Sequence, residues 1–294
     1  MFEWVFHVAF TGVIFTTITA IILIGRRRLQ TIHRDFERNS YRMNNFYELK
    51  QTYLDVLSSF DVNPLPTPSE DHYSGVFLPE PFEPYLSAPL KVMVVGRETA
   101  GWNTDNGLGG LNRLKARLQK GELDSIIDEA IRRYESHYSS REIGLQKRKN
   151  QSNFQRFFIE VADAIGQPVE AMIYANLFAW DYNKGSFMHR PKQEREALID
   201  LSLTLLAVQI KHFQPDVIIF AGGLIDKTDP LIKRLFRTHF EPHKTIPPLV
   251  KRTFWEFESA GIRCFRIAHP RAQNDDHPKY RKALLERLRA LSTK

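Results

Sequence analysis

Apolar residues fall into short unbroken runs, separated by stretches in which they recur near the helical period. Lys91-Val92-Met93-Val94-Val95 is a run of buried-strand type that stops at Gly96. Met172 to Ala175 reads as a second strand, Asp216 to Ala221 as a third that ends in Gly222-Gly223, and Ile262 to Ile267 as a fourth. The spacing between them predicts helices over about 110–138, 151–166, 193–213, 229–239 and 278–291. Apolar strands alternating with amphipathic helices predict a three-layer α/β/α sandwich around a central four-stranded parallel sheet. In such sheets ligands bind beyond the carboxyl ends of the strands, so the residues just after each strand are the ones to examine for chemistry.

The first part of the chain follows another pattern. Trp4 to Ile24 is a stretch of 21 residues without Asp, Glu, Lys or Arg, followed by Arg26-Arg27-Arg28. At 1.5 Å per residue it is long enough for a hydrocarbon core of roughly 30 Å. Residues 1–25 are therefore expected to form a transmembrane helix, with membrane lipid contacted through residues 4–28. The positive-inside rule then places everything after the arginines in the cytoplasm, at the inner membrane. The alternative is a buried core helix; a cleaved signal peptide lacks its positive n-region here. Residues 26–45 read as a basic stalk, and residues 46–294 as the domain proper. Within it, residues 61–89 hold seven of the sixteen prolines and are expected to wrap irregularly.

Composition excludes whole classes. Hydrophobic residues at 43% and a mean hydropathy of -0.35 exclude a polytopic membrane protein and a disordered chain. One cysteine, Cys264, excludes an internal disulfide framework. The net charge of +7 is unevenly placed. Residues 26–38 carry +3, residues 39–270 carry 29 basic against 28 acidic, and residues 271–294 carry +4. The last group follows His269 directly, and part of it lies on a helix expected to face phosphate beside that residue.

The residues at the strand ends are Gly96-Arg97-Glu98-Thr99-Ala100-Gly101-Trp102, Asn176, Gly222-Gly223 and Ala268-His269-Pro270-Arg271. Each alone has a bland reading as a turn, a solvated acid, a cap or a surface histidine. Together they bring a carboxylate, an amide and an imidazole to one rim. This set resembles the uracil-DNA glycosylase superfamily. Its first motif, a strand ending in Gly-polar-acid, matches Gly96-Arg97-Glu98; its base-reading Asn matches Asn176; its final His-Pro matches His269-Pro270, and His189 lies about where the best-known branch has a histidine.

The resemblance implies hydrolysis of the N-glycosidic bond of a flipped non-standard or modified base in DNA, single- or double-stranded. It implies Glu98 and His269 as catalytic, and Gly96, Arg97, Trp102, Asn176, His189 and Arg271 as substrate-binding, with neither a cofactor nor a metal. Two departures bear on substrate. Glu stands where the family has Asp or Asn, and Thr99-Ala100 replaces Pro-Tyr, which suggests a wider pocket. A catalytically inactive nucleic-acid or nucleotide sensor, in defence against foreign DNA, and a small-nucleoside hydrolase are the alternatives. His239 and His243 have metal-like spacing but no third ligand. Lys147-Arg148-Lys149 reads as a solvated loop.

Overall fold

The computed structural model describes residues 46–61, 66–104, 107–138, 151–223, 225–272 and 276–293. The proposed membrane segment, the stalk, Lys147 to Lys149 and the residues just after Ala272 lie outside these. Among the described residues no helix is long and apolar enough to cross a membrane.

The four foreseen strands form as β1 (Val92–Gly96), β2 (Met172–Asn176), β3 (Val217–Phe220) and β6 (Ile262–Ile267). They are mutually parallel, with β1 between β2 and β3 and with β6 beyond β3. The expectation of a four-stranded parallel sheet is nevertheless corrected. The sheet is mixed and six-stranded, in the order β2-β1-β3-β6-β5-β4. Antiparallel β5 (Phe254–Ser259) and β4 (Lys244–Val250) extend it past β6. Neither has a plain strand pattern. Glu256 interrupts the apolar run of β5, and Pro247 and Pro248 lie within β4, which tolerates them as the edge strand. Glu256 is 2% exposed in spite of its charge, because Arg263 and Arg287 both pair with it.

Eight helices cover the sheet among the described residues. They are α1 (residues 46–58), α2 (Glu83–Leu86), α3 (Leu111–Lys120), α4 (Leu123–Tyr138), α5 (Asn153–Ile165), α6 (Lys192–Phe213), α7 (Ile225–His239) and α8 (Asp276–Ser292). The helix expected over 110–138 is two, broken where Gly121 caps α3. Residues 66–82 have no regular structure beyond a 3-10 turn at Pro68–Glu70, yet they bury Tyr73, Phe77 and Leu78.

Alternation along the strands builds two cores. Val92, Val94, Met172, Tyr174, Val217, Ile219, Phe265 and Ile267 share a cluster with Phe157, Phe158 and Val161 of α5 and with Leu284 and Leu288 of α8. On the other face Phe220 meets Phe236 of α7 and Phe257 of β5. α6 buries residues around most of its circumference, as a helix inside a layered core does. Leu49–Lys294 is one compact unit. Chain direction reverses its lateral progress at β1, with β2 on one side and β3 on the other, and this places a crevice between the loops that follow β1 and β3.

Candidate functional site

That crevice opens into a cleft of about 920 Å³, in the upper part of the range for ligand sites. It is lined by Gly96 to Trp102, by Gly222 and Gly223, and by His269 and Arg271, with further residues from α4, α5 and the loop around Lys184. The strand-end segments foreseen from sequence therefore share one rim because their strands are parallel.

Gly96 and Asn176 are register partners at the ends of β1 and β2. A Cβ on Gly96 would lie 2.5 Å from Asn176 Oδ1 and 2.9 Å from the Tyr174 hydroxyl. Gly96 is a packing requirement of the Asn176 side chain. Gly96→Ala should cost about 1–3 kcal/mol through overpacking. Urea unfolding checks this, and an unchanged midpoint would show that Asn176 yields freely.

The segment after β1 is folded onto a residue that sequence reasoning missed. Asp181 is fully buried. Its Oδ2 accepts from Thr99 Oγ1 at 2.7 Å, Gly101 N at 2.9 Å and Trp102 N at 3.3 Å, and its Oδ1 from Lys184 N at 3.1 Å. One carboxylate thus ties the loop after β1 to the loop after β2. Thr99 is turned to Asp181, and Ala100 leaves the cleft wall without a bulky side chain.

Glu98 has a side chain 6% exposed and receives Arg97 Nε at 2.6 and 2.7 Å, with Arg97 Nη2 on the same carboxylate. Burial pushes the Glu98 carboxyl above its ordinary value; Arg97 and a hydrogen bond from Ser186 oppose this, and the charge of Asp181 adds to it. His269 is held in the opposite sense. Burial, with the positive charges of Arg271 and Arg97, lowers its pKa to about 4, so the ring is neutral at neutral pH. Its Nδ1 accepts the Arg271 backbone N–H at 3.1 Å. A neutral imidazole that accepts at Nδ1 carries its proton on Nε2 and is a donor there.

Asn176 is 4% exposed and lies beneath the cleft wall. Its Oδ1 takes the Tyr174 hydroxyl at 2.8 Å, while its Nδ2 is buried with no partner. With Oδ1 engaged by Tyr174, what the amide has to offer is its unpaired Nδ2 group. The turn after β3 sets the spacing of the other groups. Cβ atoms on Gly222 and Gly223 would lie 3.0 Å from Arg97 Cβ and from His269 Cβ respectively, and Gly223 has φ of +67°. The pair is a spacer between the acid loop and the histidine.

No protein-family model matches the chain, and no curated protein matches it.

The remaining predicted residues divide. Trp102 and Arg271 line the cleft. His189 does not: it is exposed on the 3-10 turn Phe187–His189, edge-on to Tyr182. The basic C-terminal group is also dispersed. Arg287 is turned to Glu256, Arg281 bonds Pro270 O at 3.2 Å, and among the described residues of that group only Arg271 lines the cleft. Positive charge reaches the cleft instead from Arg133 of α4 and from Lys184, which no motif marks. His239 closes α7 and His243 lies against Trp255; among the described residues no group of three or more His, Cys, Asp or Glu is placed to hold a metal ion.

Proposed function

We propose that the protein is a DNA N-glycosylase of uracil-DNA glycosylase type, acting on a flipped non-standard or modified base and held at the inner membrane by residues 4–28. The observation that carries this reading is the meeting at one cleft of a buried carboxylate and an imidazole kept neutral with its proton on Nε2, with an amide whose Nδ2 is unpaired just beneath the cleft wall.

In the reaction, water attacks C1′ of the sugar and passes a proton to the Glu98 carboxylate. The bond from C1′ to the base nitrogen breaks, and its electron pair leaves with the base. His269 Nε2–H donates to the base oxygen on which that charge gathers, a hydrogen bond that strengthens toward the transition state. Asn176 Nδ2 reads an acceptor on the base edge. The cleft volume and the small Ala100 wall suit a base larger than uracil. The Arg97–Glu98 pair favours the second reading, a catalytically silent sensor, because Arg97 occupies both carboxylate oxygens in the free protein.

The test is abasic-site formation by the full-length protein in detergent on single- and double-stranded oligonucleotides carrying uracil, hypoxanthine or hydroxymethylated cytosine. Cleavage lost in His269→Ala is the expected result. DNA bound without cleavage of any substrate would sink the enzyme reading in favour of the sensor, and turnover of free nucleosides alone would favour a nucleoside hydrolase. The anchoring is tested by fractionation: the full-length protein should require detergent for extraction, and recovery in the soluble fraction would overturn it.

A further inference from the structure

The described wall of the cleft carries four cations, Arg97, Arg133, Lys184 and Arg271, and one carboxylate, Glu98. Arg97 is committed to Glu98. Arg133 and Arg271 face no second acid among the described lining residues. Residues 39–270 as a whole are almost neutral, with 29 basic against 28 acidic, so this excess belongs to the cleft and not to the average surface. Such a concentration selects an anionic ligand.

One end of the cleft is equipped to hold that anion. Trp102 is 5% exposed and its Nε1 is buried without an acceptor. The Arg133 guanidinium lies over the indole, 5.5 Å from the ring centroid, and its Nε is likewise buried and unpaired. Both are donors with no acceptor capacity, and a buried donor is costly until an acceptor reaches it. α5 also reaches the cleft, but beside His269, where Phe154 lies 6.5 Å from the imidazole, and its Ser152 and Gln155 amides are taken by a reciprocal cap. The two buried donors, Trp102 Nε1 and Arg133 Nε, ask for an acceptor, and the guanidinium favours one that carries negative charge.

This end is separate from the His269 imidazole. A row of cleft-lining rings runs from Trp102 to Tyr138 (6.5 Å), Tyr174 (4.6 Å), Phe154 (4.8 Å) and His269 (6.5 Å), measured between successive centroids. Three rings stand between the indole and the imidazole. The indole and the imidazole are therefore different parts of the cleft wall.

We propose that Trp102 Nε1 and Arg133 form a phosphate-binding subsite, distinct from the His269 imidazole, for a phosphate group borne by the nucleotide ligand. The guanidinium fork suits a phosphate better than a point charge does. Arg133 lies over the indole ring, so a phosphate held by its guanidinium is brought next to the ring that carries the Nε1 donor. The inference rests on the reading that this cleft receives a nucleotide, but not on any bond being cut.

The experiment is fluorescence anisotropy of a short labelled single strand with full-length protein in detergent, over a range of salt. Arg133→Gln should weaken binding about tenfold and reduce the salt slope by about 0.7, the loss of one single-strand phosphate contact. Trp102→Phe, which keeps an aromatic ring and removes the N–H, should weaken binding about threefold. Lys120→Gln, an exposed charge outside the cleft, should change neither and controls for net charge. Competition by a deoxynucleoside monophosphate and by inorganic phosphate shows whether strand or free nucleotide supplies the phosphate; either result, if sensitive to Arg133, supports the subsite. Unchanged affinity and slope in both folded variants, for every phosphate ligand, would overturn it. An inactive protein that still binds through Arg133 sinks the glycosylase reading and leaves the subsite standing.

Discussion

Replacing Glu98 with Gln should lower the rate of abasic-site formation by about 10²- to 10⁴-fold, the usual contribution of a positioned base. Gln keeps the shape and the capacity to accept a hydrogen bond from Arg97, so the loop after β1 should hold its place. What it loses is the ability to take a proton from water and the negative charge that favours a cationic sugar. Binding of an uncleaved oligonucleotide should change far less than the rate. The pH profile supplies a second readout. Glu98 works only when ionised, and burial has already raised its pKa while Arg97 holds it down. Arg97→Met removes the largest opposing influence, so the Glu98 pKa should rise further and the acid limb of the profile should move to higher pH. His269 stays neutral down to about pH 4 and so does not set that limb. A Glu98→Gln rate within threefold of wild type would show that the carboxylate does not activate water.

Asp181→Ala should have the largest effect on stability, on the order of 4 kcal/mol. The carboxylate is fully buried and accepts four hydrogen bonds from two loops, three of them from backbone amides. Its removal leaves those amides as orphans that no neighbouring side chain replaces, at about 1–3 kcal/mol each before relaxation. Asp181→Asn should cost less, because one oxygen remains. The loss has a location as well as a size: residues 97–102 should become the earliest site of proteolysis, and Glu98 should lose its position even where the variant stays folded. A urea midpoint equal to that of wild type would show that the loops are held by their own turns.

The parallel part of the sheet was legible because its signals are local. A run such as Val92 to Val95 is apolar on both faces, and a Gly or Asn closes it, so strand and strand end can be seen within a few residues. The same logic reached Gly96, Glu98, Asn176 and His269 as one rim, since parallel strands must end on one edge. β4 and β5 escaped because Pro247, Pro248 and Glu256 contradict the local pattern. Only neighbours distant in sequence, such as Arg287 for Glu256, reconcile those residues with a strand.

Charge shows the division most clearly. The sequence alone located the excess of positive charge at residues 26–38 and after residue 270, and left the body neutral. It could not say which of those charges meet the site, because a side chain's partner is a property of packing. In the folded protein most of the C-terminal group is turned elsewhere, while Arg133 and Lys184, unremarkable in the chain, are carried to the cleft by α4 and by the loop that Asp181 anchors. Which residues can do chemistry was determined by residue type and strand order. Which charges surround them was decided only by tertiary structure, since Coulomb interactions depend on distance in space and not on separation along the chain.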